Sequence, residues 1–277
     1  MSYPTLYRYA ASLVGNMLML SYFSRNHERM AACVQLVGVM GQSAVLAQVA
    51  GAGHMPGWAV AVIAAGVVTG LGVNFTAVLG IKPGRLMTLL QGVWYAAGVL
   101  VGATTLPAFV LQAVAPGASI WQGVCLGAVA CAVALHARRV TAEDLQATKQ
   151  ERGALGSAWV PVGAWVATLH FMFLGLSQIL QNMRNPETLA GLSIASVLLG
   201  ATGNALMMPR ALHNRDRVWL LGSSWGTLVT GWGCLLSVQL LGGPGLSAAG
   251  MAALTGLLAC YLAAIVAADR LARSSAP

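Results

Sequence analysis

Six neutral polar or aromatic side chains stand within long apolar stretches of this sequence, where polar groups are rare. They are Asn16, Gln35, Trp94, Gln178, Asn204 and Trp225. Amide side chains both donate and accept hydrogen bonds, and indole rings offer a flat apolar face with one donor at the edge. Together they predict binding of an uncharged, hydroxyl-rich solute. The alternative is structural, because amides also bond between helices in lipid and tryptophan also lies at membrane interfaces.

Acidic side chains are confined to the ends of the apolar stretches. The seven acidic residues all lie in predicted loops or at span ends: Glu28, Glu143, Asp144, Glu151, Glu187, Asp216 and Asp269. No carboxylate is therefore placed at mid-membrane to carry a proton or bind sodium, which favours facilitated over ion-coupled transport. His170 is the one clearly intramembrane ionisable residue, and we favour a neutral packing role for it over a proton relay.

Neither the serine motif nor the cysteines predict an enzyme or a metal site. Gly222–Gly226 matches the Gly-x-Ser-x-Gly nucleophile pattern, but it lies inside an apolar stretch, without the strand-to-helix turn that exposes such a serine. The five cysteines match neither the spacing of zinc ligands nor a disulfide scaffold. We therefore predict no catalytic residue, no metal and no cofactor.

Composition predicts that these side chains stand in a membrane. The chain has 277 residues, of which 57% are hydrophobic and 8% charged, whereas soluble domains carry about 25% charged residues. A helix of about 20 apolar residues spans a bilayer. Nine charge-free runs reach or approach this length, at 9–24, 30–51, 57–80, 86–106, 119–136, 158–182, 189–209, 218–241 and 246–268. We predict an all-α, multi-pass membrane helix bundle of about nine transmembrane helices.

The basic residues give the predicted bundle an orientation. If the nine spans alternate, thirteen of the fifteen lysines and arginines fall on one face: Arg25, Arg29, Lys82, Arg85, Arg138, Arg139, Lys149, Arg152, Arg210, Arg215, Arg217, Arg270 and Arg273. Only Arg8 and Arg184 fall on the other face. Membrane proteins show this asymmetry, so the net charge of +8 indicates a lipid bilayer as the partner and not a nucleic acid.

An internal repeat predicts how the spans are arranged. GNMLM at 15–19 resembles GNALM at 203–207, an offset of 188 residues. The same offset superposes the first three predicted spans on the last three, with the same direction across the membrane. We expect two parallel repeats, at 1–80 and 158–277, joined by linking helices and a charged loop at 81–157. Parallel repeats in transporters enclose a solute site near mid-membrane, so we expect a central cavity between them.

The second repeat contains one helix more than the first. It opens with the span at 158–182, whose counterpart would lie before Met1. We therefore expect the chain to lack one N-terminal helix. A native nine-helix form is the alternative.

Stretches in both halves of the chain resemble a known family. They are LSYF at 20–23, LAQ at 46–48, NPETLAGLS at 185–193, GNALMMPRAL at 203–212 and WLLGSSW at 219–225. These runs resemble the maltose excess protein family, the maltose exporters of the plastid envelope in plants and green algae. That family is distantly similar to the PQ-loop and SWEET sugar carriers. Their PQ element would here be Ser177-Gln178, with serine in place of proline.

The resemblance implies passive transport of maltose across the chloroplast inner envelope membrane, from stroma to cytosol, during starch breakdown. It implies a transporter without enzymatic activity, whose basic face and charged loop lie in the stroma. We expect the four amides to hydrogen-bond sugar hydroxyls while Trp94 and Trp225 stack on the sugar rings. Two alternatives stay open: a carrier of glucose or another small neutral solute, and a non-transporting membrane scaffold.

Overall fold

The chain is helical wherever its structure is described. The computed structural model describes residues 3–79, 84–115, 119, 121–129 and 156–274. The α-helices are α1 (Tyr3–Arg25), α2 (Arg29–Gly51), α3 (Gly57–Val78), α4 (Arg85–Val114), α5 (121–129), α6 (Gly156–Arg184), α7 (Ile194–His213), α8 (Arg217–Trp225), α9 (Cys234–Leu240) and α10 (Ala248–Ser274). A 3₁₀ helix at Pro186–Gly191 precedes α7, and a π-helix at Gly226–Gly233, the π segment, joins α8 to α9. No strand occurs in these ranges, which confirms the predicted all-α class.

Several helices have the length and composition of membrane spans. Five meet both criteria within the described ranges, at Arg29–Gly51, Gly57–Phe75, Arg85–Ala108, Val162–Arg184 and Ala248–Ser274. Lipid offers no water to backbone N–H and C=O groups, and a helix pairs them internally, so an apolar chain of this kind folds as helices. The count of nine spans and the parallel arrangement of the repeats stay predictions.

Several predicted helix ends are wrong by about five residues or more, and α1 and α4 are two examples. α1 begins at Tyr3, six residues before the predicted start at 9. α4 continues through Pro107 to Val114, beyond the predicted end at 106. The run predicted at 119–136 is described only at 119 and 121–129, and the charged residues from 138 to 152 lie outside the described ranges.

α7 also continues past its predicted end at 209, which is a proline. The helix runs through Pro209 to His213. Proline has no N–H for the carbonyl four residues earlier, and a helix in lipid tolerates this when another group supplies the bond. That carbonyl belongs to Ala205, and the Tyr261 hydroxyl of α10 donates to it at 2.6 Å.

The chain forms two compact units, Met1–His170 and Phe171–Pro277. In the first unit, α1 packs against α2, α3 and α4 around an apolar cluster that includes Met17 and Val39. In the second unit, α7 packs against α8, the π segment, α9 and α10. Each unit thus gathers its helices around one helix that carries an asparagine, Asn16 in α1 and Asn204 in α7.

The same turn joins α1 to α2 and α7 to α8. His27 and Arg215, 188 residues apart in sequence, both adopt a left-handed conformation, with φ of 58° and 55°. In each turn the next backbone N–H reaches back five residues to a carbonyl of the preceding helix, at 2.9 Å from Glu28 and 3.1 Å from Asp216. This is the Schellman ending of a helix. The sequence repeat therefore has the same local geometry in both units.

The following turn is also repeated, but one residue later. It lies at Gly53 after α2, with φ of 75°, and at Gly242 after α9, with φ of 70°. These two glycines are 189 residues apart. The N–H groups of His54 and Gly243 close the helix ends at 3.1 Å and 2.9 Å. The second unit therefore holds one residue more than the first between its two turns.

The extra residue lies in the π segment. Buried positions correspond with an offset of 188 before it, as Gln35 and Ser223 do, and with an offset of 189 after it, as Val49 and Val238 do. A π-helix bonds each N–H to the carbonyl five residues back, so it takes up one additional residue locally. Residues of α9 are therefore buried at the same positions as the corresponding residues at the end of α2.

Candidate functional site

Asn16 stands at the contact between α1 and α2. Its Nδ2 donates to the Ser12 carbonyl oxygen one turn earlier, at 2.9 Å, and the side chain is 9% exposed. A Cβ atom on Gly38 of α2 would lie 2.5 Å from Asn16 Oδ1. Only glycine therefore leaves room for the amide at this contact, which we call the first junction.

Asn204 makes the equivalent contact in the second unit. Its Nδ2 donates to the Gly200 carbonyl oxygen at 2.9 Å, and a Cβ atom on Gly226 would lie 2.5 Å from Asn204 Cγ. The offset that relates Asn16 to Asn204 also relates Gly38 to Gly226. This second junction repeats both partners of the first, and it lies where the π segment begins.

Polar groups flank each junction by about one helical turn. Gln35 and Gln42 lie three residues before and four residues after the glycine of the first junction, on one face of α2. Their Oε1 atoms are buried and have no hydrogen-bond partner among the described residues. Ser223 and Thr230 have the same spacing at the second junction, and Thr230 Oγ1 is likewise buried and unpartnered within the described chain. A buried polar atom without a partner is costly, so these oxygen atoms retain an unused capacity to accept a hydrogen bond.

Trp94 packs beside the first junction. Its ring and the Met17 side chain both lie over Gly70 of α3, and Met17 follows Asn16 in sequence. The ring also belongs to the apolar cluster of the first unit. That unit therefore gathers Asn16, Gln35 and Trp94 around α1. The sequence predicted all three as site residues, with Asn16 and Gln35 in the first repeat and Trp94 among the linking helices.

Trp225 immediately precedes the glycine of the second junction. Its Nε1 donates to the Met172 carbonyl oxygen of α6 at 3.1 Å. This bond uses the one donor of the indole and fixes the half-buried ring. What Trp225 can offer a solute is therefore the apolar face of its ring. Of the six predicted residues, Asn204 and Trp225 lie at the second junction.

Gln178 belongs to a buried network of the second unit. Its Nε2 donates to Asn182 Oδ1 at 2.9 Å, and Asn182 Nδ2 donates to Ser237 Oγ of α9 at 2.8 Å. The sequence clusters Gln178 with Asn182 at the end of one span. Nothing in it pairs either residue with Ser237, because that pairing depends on how α6 packs against α9.

His170 is fully buried in the first unit. Its Nδ1 lies 2.8 Å from the Val166 carbonyl oxygen, and its Nε2 lies 3.2 Å from Thr105 Oγ1. A carbonyl oxygen only accepts, so Nδ1 carries a proton and donates it to Val166. The Thr105 hydroxyl donates to the Val101 carbonyl oxygen of its own helix at 2.8 Å, so its contact with Nε2 does not fix the charge of the ring. The packing role that we favoured from the sequence stays a prediction.

Acidic side chains in the described ranges lie toward helix ends. They are Glu28, Glu187, Asp216 and Asp269. Asp216 caps α8 by accepting a backbone N–H at 3.0 Å. Asp269, near the end of α10, pairs with Arg215 at 2.9 Å and also with Arg273. No group of three His, Cys, Asp or Glu side chains that could hold a metal occurs in these ranges.

A cavity of about 510 Å³ opens in the first unit, at the start of α1 and the end of α2. It is lined by Tyr9, Val45, Gln48, Val49, Ala52 and His54. A phenol, an amide and an imidazole can all hydrogen-bond hydroxyl groups. None of the six residues predicted from the sequence lines this cavity, so it is separate from both junctions.

One family model and two chloroplast proteins are similar to this chain. The family model described as Maltose excess protein 1 N-terminal domain matches residues 5–83. Maltose excess protein 1, chloroplastic, of Arabidopsis thaliana is 35% identical over 233 residues, which cover 83% of this chain and 52% of that protein. Maltose excess protein 1-like, chloroplastic, of Oryza sativa subsp. japonica is 34% identical over 225 residues, covering 80% of this chain and 53% of that protein. The chain thus spans about half the length of these relatives, and no solved structure matches it.

Proposed function

The chain belongs to the maltose excess protein family, and on that premise we propose that it carries maltose across a membrane. The observation that supports this most is the similarity to two proteins named for maltose, over at least 80% of the chain. Helices long and apolar enough to span a bilayer agree with a carrier. The proposal makes the chain a transporter rather than an enzyme.

The two junctions offer groups suited to maltose, which carries many hydroxyls and no charge. In the proposed mechanism, the four amides predicted from the sequence hydrogen-bond these hydroxyls, while Trp94 and Trp225 stack on the rings. Gln42 and Thr230 join them, because their buried oxygen atoms have no partner in the described ranges. Sugar hydroxyls can both donate to and accept from such groups.

The proposed mode is facilitated diffusion through nine spans in two parallel repeats. The repeated turns at His27 and Arg215 support the repeat. The position of the described acidic residues near helix ends supports transport without ion coupling. The relatives are named chloroplastic, which supports a chloroplast location, and we propose the inner envelope membrane, with export from stroma to cytosol during starch breakdown.

Uptake of radiolabelled maltose into proteoliposomes that contain this chain tests the proposal. We expect Asn204→Leu to reduce uptake by about tenfold or more, because it removes an amide that bonds the sugar while keeping a side chain of similar length. Asn74→Leu is the matched control. Asn74 also donates to a carbonyl one turn earlier, at 2.7 Å, but it stands on α3 outside both junctions. We expect its uptake to stay within about twofold of the unaltered chain.

Competition by unlabelled sugars then identifies the solute. Stronger competition by maltose than by glucose would support the proposal. Stronger competition by glucose or another neutral solute would identify that solute as the substrate in place of maltose, and the chain would still be a carrier. No uptake of any tested sugar by folded protein would overturn transport in favour of a membrane scaffold.

A further inference from the structure

One face of α6 is polar where it packs within the second unit. Gly175, Gln178 and Asn182 lie three and four residues apart, so they share this face. The Thr230 side chain of the π segment occupies the space over Gly175 that a Cβ atom would need. Ser237 Oγ of α9 accepts from Asn182 at 2.8 Å. The two ends of the polar face are thus packed against one neighbouring helix, and Gln178 lies between them.

The hydrogen bonds of Asn182 have a fixed direction. Its side chain is 1% exposed, and its Nδ2 donates both to Ser237 Oγ and to Cys234 Sγ, the latter at 3.5 Å. Ser237 Oγ gives its own hydrogen to the Cys234 carbonyl oxygen at 2.7 Å, so toward Asn182 it can only accept. The amide nitrogen of Asn182 must therefore point at Ser237. Its Oδ1 is then left to accept from Gln178 Nε2 at 2.9 Å.

This chain of bonds decides how the Gln178 amide is oriented. Turning the Asn182 amide over would bring two donors together at Gln178 and two acceptors together at Ser237. A glutamine has several rotatable bonds, and fixing them before a ligand arrives raises affinity. We infer that Asn182 and Ser237 are positioning residues that hold Gln178 in the orientation that binds the sugar. The inference rests on the proposed function, in which Gln178 contacts the solute.

Ser237→Ala tests the inference in the maltose uptake assay, because it removes one hydroxyl and keeps the helix. We expect the KM for maltose to rise about threefold to tenfold, with Vmax per folded protein unchanged, as for loss of one ordering hydrogen bond. Gln178→Leu should raise KM at least as much. The double variant should match Gln178→Leu alone, since no Gln178 amide is then left for Asn182 and Ser237 to orient. Ser274→Ala, at the end of α10, is the control and should leave KM unchanged.

A purely structural role gives a different pattern. Ser237→Ala would then lower the amount of folded protein and Vmax without moving KM, and its effect would add to that of Gln178→Leu. Either result would overturn the inference. If the unaltered chain carries another neutral solute and shows the same non-additive KM pattern, the positioning role stands and maltose is replaced. If the folded chain carries no solute, both the proposed function and the positioning role fall.

Discussion

Asn16 and Asn204 each occupy the space that a glycine leaves on the neighbouring helix. In both junctions the amide nitrogen donates to a carbonyl of its own helix. At the first junction, the amide oxygen is the atom nearest to the neighbouring helix. Under the proposed function, this amide oxygen accepts a hydrogen bond from a sugar hydroxyl. The junctions therefore combine close packing with polar chemistry in the same side chain.

Gly38→Ala tests the close approach at the first junction. The new Cβ atom would lie 2.5 Å from Asn16 Oδ1, so we expect the free energy of unfolding to fall by about 1–3 kcal/mol, the usual cost of overpacking. Gly41→Ala is the matched control, because nothing lies within 4 Å of a Cβ atom placed there. It should change the unfolding free energy by less than about 0.5 kcal/mol. Denaturant or thermal unfolding in one detergent measures both.

A second variant shows whether Asn16 is the residue displaced. Asn16→Ala combined with Gly38→Ala removes the clashing amide, so the double variant should lose less stability than the sum of the single changes. An equal loss in Gly41→Ala, or strict additivity in the double variant, would contradict the geometry of the first junction.

Residue types could be predicted from the sequence, but their partners could not. The repeat of Gly-Asn in GNMLM and GNALM pairs Asn16 with Asn204 directly. The glycines opposite them follow only if the offset of 188 is carried to the next helix. The bond from Trp225 to the Met172 carbonyl, and the bond from Asn182 to Ser237, depend on helix packing and side-chain rotamers. Hydropathy and spacing contain no information on either.

At the scale of elements, hydropathy predicts the helices because an apolar chain must pair its own backbone groups in lipid. It misses the π segment, since one additional residue in an apolar run leaves the average hydropathy unchanged. It misplaces the end of α7 for a different reason. The Tyr261 hydroxyl bonds the carbonyl that Pro209 leaves unpaired, and this contact comes from another helix.

Deleting Leu228 tests the origin of the π segment. The deletion gives α8 and α9 the residue count of α2, so we expect a regular α-helix with both turns kept and a loss of stability below about 1 kcal/mol. Deleting Met40, the aligned position in α2, is the matched control. It should turn the rest of α2 by about 100° and cost more than about 3 kcal/mol, because every later contact is misplaced.

Thermal unfolding of both deletion variants in one detergent measures the two losses of stability. Equal damage from the two deletions would mean that the π segment is not an inserted residue in an otherwise matching helix. A folded Leu228 deletion would in addition allow transport to be measured with a regular helix in place of the π-helix.

At the scale of the whole molecule, charge is sparse and placed toward helix ends wherever the structure is described. Asp269 is neutralised by Arg215 and Arg273, and Asp216 caps a helix. Ion-coupled carriers often bind the ion or proton at an ionisable side chain inside the membrane, and no described acidic residue stands in such a position. The nine-span topology, with thirteen basic residues on one face, stays a prediction from the sequence. The length and composition of the helices do not establish it.

We therefore expect uptake to depend on the solute gradient only. The initial rate of maltose uptake should change by less than about twofold when a proton ionophore is added or when sodium is replaced by potassium. A twofold change corresponds to less than about 1 kcal/mol. Accumulation of maltose above its external concentration under an imposed ion gradient would contradict this. His170 would then be the first described residue to replace, as His170→Gln.

The extra residue of the π segment also bears on how a helix tolerates a change in length. One codon inserted into an ordinary helix turns everything after it by about 100° and scrambles the later contacts. The π-helix absorbs the codon, so the turn at Gly242 closes with the same bonds as the turn at Gly53. Two similar segments can in this way differ in length while both keep the same turns and the same buried positions.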